Sequence, residues 1–294
     1  MKNKYQGKTD EHLYFSDIRR YYDENGEERI SAPADTHKVI SLAQSEAYKR
    51  KVALKDRGKV WVACYHEPIR SVVKKLTLIE AGAIIKLLPY LRFKSEGRLI
   101  NEGKPLKQKD IQKVLGRGKK ATSSILNKLK KLGIIEVDKI ETSNEYRLNS
   151  GYHSMGFVEK AHFTKLYQVK TREIIENLTI SQTGMLYKLL PFFHYERYFL
   201  CANPNEKDPE FIRLLTREDL AVLTGHSRET VSRMMNALCD EGVIMQLSTA
   251  GVEAVIVHPD VMFRLNSETE HTRVVRKQFE HLRQHHEQRN QIKK

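Results

Sequence analysis

The sequence predicts a mainly α fold with small β wings, in the α+β class. It reads as two tandem winged helix-turn-helix domains between an N-terminal extension and a C-terminal helix. Three observations predict this. Residues 215–245, LTREDLAVLTGHSRETVSRMMNALCDEGVIM, set out a short helix, a Gly turn, a longer helix and the start of a strand. Much of the chain from residue 60 onward recurs about a hundred residues later. The length of 294 residues, with 40% hydrophobic and 30% charged, suits two domains with real cores.

Residues 1–58 read as a polar extension ending in a linker helix. Tyr21-Tyr22-Asp23-Glu24-Asn25-Gly26-Glu27 marks a turn between two short extended segments, as in a small hairpin. Residues 41–55 suit a basic helix, either a plain linker or an arm laid against DNA.

The first unit spans 59–156. An extended segment at 60–65 opens it, and a helix ending at Leu-Leu-Pro follows, with Pro89 as the stop. LKQKDIQKVLG (106–116) and GRGKKATSSILNKLKKLG (116–133) then read as helix, turn, helix. The outer face of the second helix would carry Lys119, Lys120, Thr122, Ser123, Ser124, Asn127, Lys128 and Lys131.

The second unit, 161–265, repeats the first. KKLTLIEAGAIIKLLPY (74–90) lines up with ENLTISQTGMLYKLLPF (176–192). Leu76, Thr77, Gly82, Lys86, Leu87, Leu88 and Pro89 recur as Leu178, Thr179, Gly184, Lys188, Leu189, Leu190 and Pro191, at an offset of 102. Tyr65 and Tyr167 keep that offset. LKQKDIQKVLG matches LTREDLAVLTG (215–225) at an offset of 109, and YRLNSGY (146–152) matches VIVHPDV (255–261). The change of offset places about seven extra residues in the second copy, near 196–214.

Within that unit, Thr216 followed by Asp219 has the form of a capping box, and Gly225 suits a left-handed helix end. Ser227 reads as the cap of the second helix. Val231, Met234, Met235 and Leu238 fall at helical spacing and should pack inward. Arg228, Glu229, Thr230, Ser232, Arg233 and Asn236 are left outside. Gly242 stops the helix, and two strands around Thr249-Ala250-Gly251 form the wing. In this geometry the second helix enters a DNA major groove. Arg can donate two bonds to guanine and Glu can accept from cytosine. Ser227, Thr230 and the amides of the helix start can hold phosphates. Glu229 could equally cap its own helix.

SRETVSR on the second helix, with LTREDLA before it and GVI after it, resembles the DNA-binding module of the Crp/Fnr regulator family. The resemblance implies base reading by Arg228, Glu229 and Arg233. Each unit is also similar to the RepL-type replication proteins of Firmicute plasmids. The shared pattern is an aromatic opening (FTKLY), a buried helix, a Gly turn and a closing hydrophobic segment with Pro (VIVHPDVMF).

The formal net charge of +14 favours a polyanionic partner. It is unevenly placed: 61–150 holds 19 Lys/Arg against 9 Asp/Glu, and 163–263 holds 10 against 13. The first unit would therefore grip phosphates with lysines, and the second would read more of the bases. No apolar run approaches the ~18 residues of a spanning helix, and MKNKYQGKTDEHLYF has no apolar signal core, so a cytoplasmic protein without a membrane partner is expected. Cys64, Cys201 and Cys239 are far apart and suit a reducing compartment. With no P-loop, GxSxG, HExxH or paired Cys ligands, neither an enzyme nor a cofactor is expected.

The tail, 266–294, suits a helix capped by Ser267. Val275, Phe279 and Leu282 form a thin apolar stripe on it. The stripe would pack on the body or on a second chain, the latter giving a homodimer. His281, His285 and His286 lack accompanying ligands and read as solvated. The whole points to a sequence-specific double-stranded DNA-binding protein. The first expectation is a transcription regulator of a bacterial mobile element or phage, with RNA polymerase as a further partner. The alternative is a plasmid or phage replication initiator working with replication proteins.

Overall fold

Asp23 and Gly26 turn the first described segment back on itself. In the computed structural model, which describes residues 18–35, 41–45, 60–93, 95–140, 143–156, 158, 161–249 and 252–292, strands β1 (Arg19–Tyr22) and β2 (Glu28–Ser31) pair antiparallel. Asp23 Oδ1 accepts the amides of Asn25 and Glu27, and Gly26 takes φ 78°, where a side chain would be strained. This hairpin belongs to a compact unit of its own, 1–54. Residues 42–45 are helical, and the rest of the expected basic helix, 46–55, lies outside the described residues.

The second unit, 55–294, runs through one order of elements twice. The first pass has β3 (Trp61–Tyr65), α1 (His66–Val72), α2 (Leu78–Leu87), a short pair β4 (Ile100–Asn101) and β5 (Lys104–Pro105), α3 (Gln108–Leu115) and α4 (Lys119–Lys131). It closes with β6 (Ile135–Ile140), β7 (Ser143–Leu148) and β8 (His153–Ser154). The second has β9 (Phe163–Tyr167), α5 (Gln168–Asn177), α6 (Ile180–Leu189), α7 (Arg217–Thr224), α8 (Arg228–Asp240), β10 (Ile244–Thr249), β11 (Val252–Val257) and β12 (Met262–Phe263). Local chemistry sets the boundaries. Thr77 and Glu80, Thr179 and Gln182, and Thr216 and Asp219 form reciprocal capping boxes. Pro89 and Pro191 stand in 3-10 turns that end α2 and α6.

The halves meet in one four-stranded sheet of order β12-β9-β3-β8. Ala63 faces Lys165, with Trp61 against Tyr167 and Tyr65 against Phe163. Under the offset of 102, Ala63 corresponds to Lys165, Trp61 to Phe163 and Tyr65 to Tyr167. The register therefore maps onto itself when the halves are exchanged, as at a twofold axis. The edge strands obey the same exchange: Cys64 pairs His153, and Leu166 pairs Met262.

Helices α2 and α6 cross with the same symmetry. A Cβ on Gly82 would overlap the Ile180 carbonyl oxygen, and one on Gly184 would overlap that of Leu78. Backbone thus meets backbone, and Ile84, Ile85, Met185 and Leu186 around the crossing are fully buried. Arg70 donates to the Pro191 carbonyl (2.9 Å), and its counterpart Arg172 to that of Pro89 (2.7 Å). The boundary expected at 156–161 consequently falls inside one shared core rather than between two. Alone, each half would expose a strand edge and a glycine-lined helix face.

After β12, helix α9 (Glu270–Ile292) returns to the body. Its cap is Thr269, not the expected Ser267: Thr269 and Thr272 exchange hydroxyl and amide bonds. Val275 and Phe279 are buried on the body, with the Phe279 ring 4.6 Å from that of His258, while Leu282 is exposed. Arg276 fastens the helix to Asp260 (2.9 Å) and Glu268 (2.6 Å). Among the described residues, no helix is long and apolar enough to cross a membrane.

Candidate nucleic-acid interface

Leu220 on α7 and Val231, Met234, Met235 and Leu238 on α8 face inward, each buried. Their spacing fixes what remains outside. Arg228, Glu229, Arg233 and Asn236 are exposed, and Thr230 and Ser232 are half-buried at the rim. Gly225 takes φ 72° in the turn, so α8 can set off from α7 at a steep angle. Ser227 caps α8 by accepting the Thr230 amide (3.3 Å). Glu229 is held ionised below the usual carboxylate range, first by its own backbone amide and then by the Ser227 hydroxyl. Arg228 pairs with Glu218 at the start of α7, and both side chains are more than half exposed. Such a pair contributes little and can be exchanged for a partner's groups.

Arg217 was missed as a positioning residue. Its guanidinium reaches Gln246 on β10 (2.6 Å) and Asn236 on α8 (3.4 Å), so one cation ties α7, α8 and the wing together. The only signal was a cation in the first turn of the first helix. The wing, β10 with β11, pairs from Ile244 against Val257 to Thr249 against Val252, and Ala250 and Gly251 of its expected turn lie outside the described residues.

Residues 195–260 match the Crp-like helix-turn-helix domain. The match runs from the loop before α7 to the end of the wing, and it supports DNA binding of a regulatory kind. No curated protein and no solved structure matches the chain.

Set beside this Crp-like segment, the first half presents a different surface. Gly116 takes φ 61°, as Gly225 does, and α4 starts at Lys119 after Gly118. Lys119, Lys120, Ser124 and Asn127 are exposed, and Lys128 is half-buried. Ser123 is half-buried and takes a bond from Gln108 (2.7 Å). Thr122 is a correction. Its side chain is fully buried, with the hydroxyl bonded to the Arg117 carbonyl (3.3 Å), so it cannot reach DNA. The offset of 109 pairs it with the core residue Val231, a signal that polarity alone concealed.

Beneath the Crp-like domain lies a buried cation. Lys188 on α6 is fully enclosed, and its Nζ donates to the carbonyls of Val73 (2.6 Å), Leu76 (2.6 Å) and Thr224 (2.7 Å). Three N–H groups meet three acceptors, pinning the end of α7 to the first half of the chain. Burial nevertheless lowers its pKa to about 8, with Glu80 partly opposing.

Proposed function

We propose that this protein is a sequence-specific double-stranded DNA-binding transcription regulator of a bacterial mobile element or phage. It acts by binding, not catalysis, and reads the major groove with two recognition helices, α8 and α4, as tandem winged-helix units. The observation that carries this reading is the exposed polar start of α8 inside a Crp-like domain. Arg228, Glu229 and Arg233 supply base-edge contacts, and Ser227, Thr230, Ser232 and Asn236 flank them. Lys119, Lys120 and Lys128 on α4 supply phosphate grip, with Ser123, Ser124 and Asn127 beside them. Because the halves share one core, the two helices keep a fixed separation. One chain would then recognise an asymmetric site of fixed spacing. RNA polymerase is the natural further partner of such a regulator.

The test is selection of bound duplexes from a random pool at near-physiological salt, followed by footprinting. A defined site with two unlike halves is expected. Binding that only tracks salt, with no enriched sequence, would refute base reading. An operator overlapping a promoter is expected in the host element. Iterated direct repeats beside an AT-rich stretch would replace the regulator with a replication initiator.

A further inference from the structure

The two halves differ most in what their matching lysines do. Lys188 closes on three carbonyls, whereas Lys86, its counterpart, forms no such bonds among the described residues. Lys86 instead lines an open cleft of about 670 Å³. The wall of that cleft includes Val114 and Ile175, at or beside the counterparts of the residues that Lys188 binds. One half is thus clamped at this place and the other stands open.

The open cleft collects cations. Arg92 (3.0 Å) and Arg172 (2.7 Å) both donate to the single carbonyl of Pro89, and both line the cleft with Lys86. Neither guanidinium nor Lys86 belongs to an ion pair among the described residues. Burial and the nearby Arg117 guanidinium lower the Lys86 pKa, as expected where positive charge lacks a counterion. Glu102 and Glu176 stand on the same wall without bonding to these cations. Arg172 also covers the face of Tyr90, 6.0 Å from its centroid, which steadies the guanidinium.

We propose that this cleft binds a small phosphorylated molecule carrying hydroxyl donors, such as a sugar phosphate. Lys86, Arg92 and Arg172 take the phosphate, and Glu102 and Glu176 accept from the hydroxyls. The volume falls in the range of small-ligand sites, roughly 300–1,000 Å³. A ligand there would bridge α3 to α2 and α5, as Lys188 bridges α7 to the first half.

Titration calorimetry of the full chain with ribose 5-phosphate, and separately with inorganic phosphate, tests this. One site per chain is expected, tighter for the sugar phosphate. Lys86→Gln and Arg92→Gln should each weaken it about tenfold or more while keeping the unliganded melting temperature. Arg92→Lys should restore part of the affinity, and Lys207→Gln on a distant loop should change nothing. Heat without saturation, or Lys86→Gln and Arg92→Gln binding as wild type, would overturn the site. Equal affinity for phosphate and sugar phosphate would overturn the role of the carboxylates. If specific duplex displaced the ligand and Arg92→Gln weakened all duplexes alike, the cleft would be a DNA phosphate contact instead.

Discussion

Gly184→Ala separates a shared core from two docked domains. In a helix interior, Ala is intrinsically better than Gly by about 1 kcal/mol. It also restricts the unfolded chain. Without a tertiary contact the substitution would therefore stabilise. Here the new Cβ overlaps the Leu78 carbonyl oxygen and stands 2.7 Å from its carbon and 2.9 Å from the Gly82 amide nitrogen, where ordinary contacts begin near 3.4 Å. All three atoms are backbone, so no side chain can swing aside. The helices α2 and α6 must move apart along their crossing. Overpacking costs about 1–3 kcal/mol, and rigid backbone on both sides places this case at or above the upper end. The net loss should be roughly 2 kcal/mol after the propensity gain. At roughly 2–4 °C per kcal/mol, the melting temperature should fall by about 4–8 °C. Gly82→Ala should behave alike, because a Cβ there overlaps the Ile180 carbonyl oxygen and sits 2.8 Å from its carbon. Once one substitution has opened the crossing the second has less to displace, so the double variant should fall short of the sum. Calorimetric unfolding of the full chain reads all three. A rise in melting temperature for either variant, or strict additivity, would refute the close crossing.

The other predictions address pH, DNA and the tail. His153 is fully buried with neither ring nitrogen partnered, and burial lowers its pKa to about 3. The unfolded ring takes up its proton near pH 6.5, so stability present above that is lost as pH falls toward 3, by up to about 4 kcal/mol. His153→Met, the residue its counterpart Met262 already is, should flatten part of that acid slope; an unchanged melting-temperature profile from pH 7 to 4 would count against it. Arg228→Ala should relax specificity by ~1–3 kcal/mol at one base pair, and uniform weakening on all duplexes would make Arg228 a phosphate contact. Lys119→Ala should reduce the salt slope of binding by about 1, whereas an unchanged slope with lost preference at one base would contradict its role. Arg276→Met should free α9, seen as faster amide exchange over 270–280, because Asp260 and Glu268 lose their shared cation; unchanged protection would assign the docking to Val275 and Phe279 alone.

The legible parts of this sequence were those governed by neighbours in the chain. Thr216 with Asp219, and the spacing of Val231, Met234, Met235 and Leu238, determine where α7 and α8 begin and which side of α8 is covered. The errors arose where tertiary contacts decide. Thr122 is polar and falls among polar neighbours, yet its position in the repeat makes it core. Ser267 and Thr269 are both competent caps, and the bond between Thr272 and Tyr198 (2.7 Å) fixes the helix start at the second. Gly82 and Gly184 were visible as repeat landmarks, but a glycine does not announce which backbone approaches it. Lys188 too was visible only as a repeat landmark, because the three carbonyls that enclose it come from segments distant in the chain.

The interface between the halves and their outer surfaces obey different rules, and the contrast limits what the chain can recognise. At the crossing the halves remain interchangeable: Gly82 with Gly184, Arg70 with Arg172, Pro89 with Pro191. At the start of the second helices they are not. Lys119 stands where Arg228 does, Lys120 where Glu229 does, and Gly118 where Ser227 caps. A palindromic site requires two equal readers related by the twofold axis. Here the axis relates the scaffolds while the two helix starts differ in charge and in donor geometry. On the proposed DNA-binding reading, the two half-sites must therefore differ, and reversing one of them should cost affinity. On the same reading, covalent linkage of the two helices would remove the concentration dependence that readers on separate chains show. The asymmetry extends below the surface, where Lys188 ties down one helix pair and Lys86 leaves the other beside an open cleft.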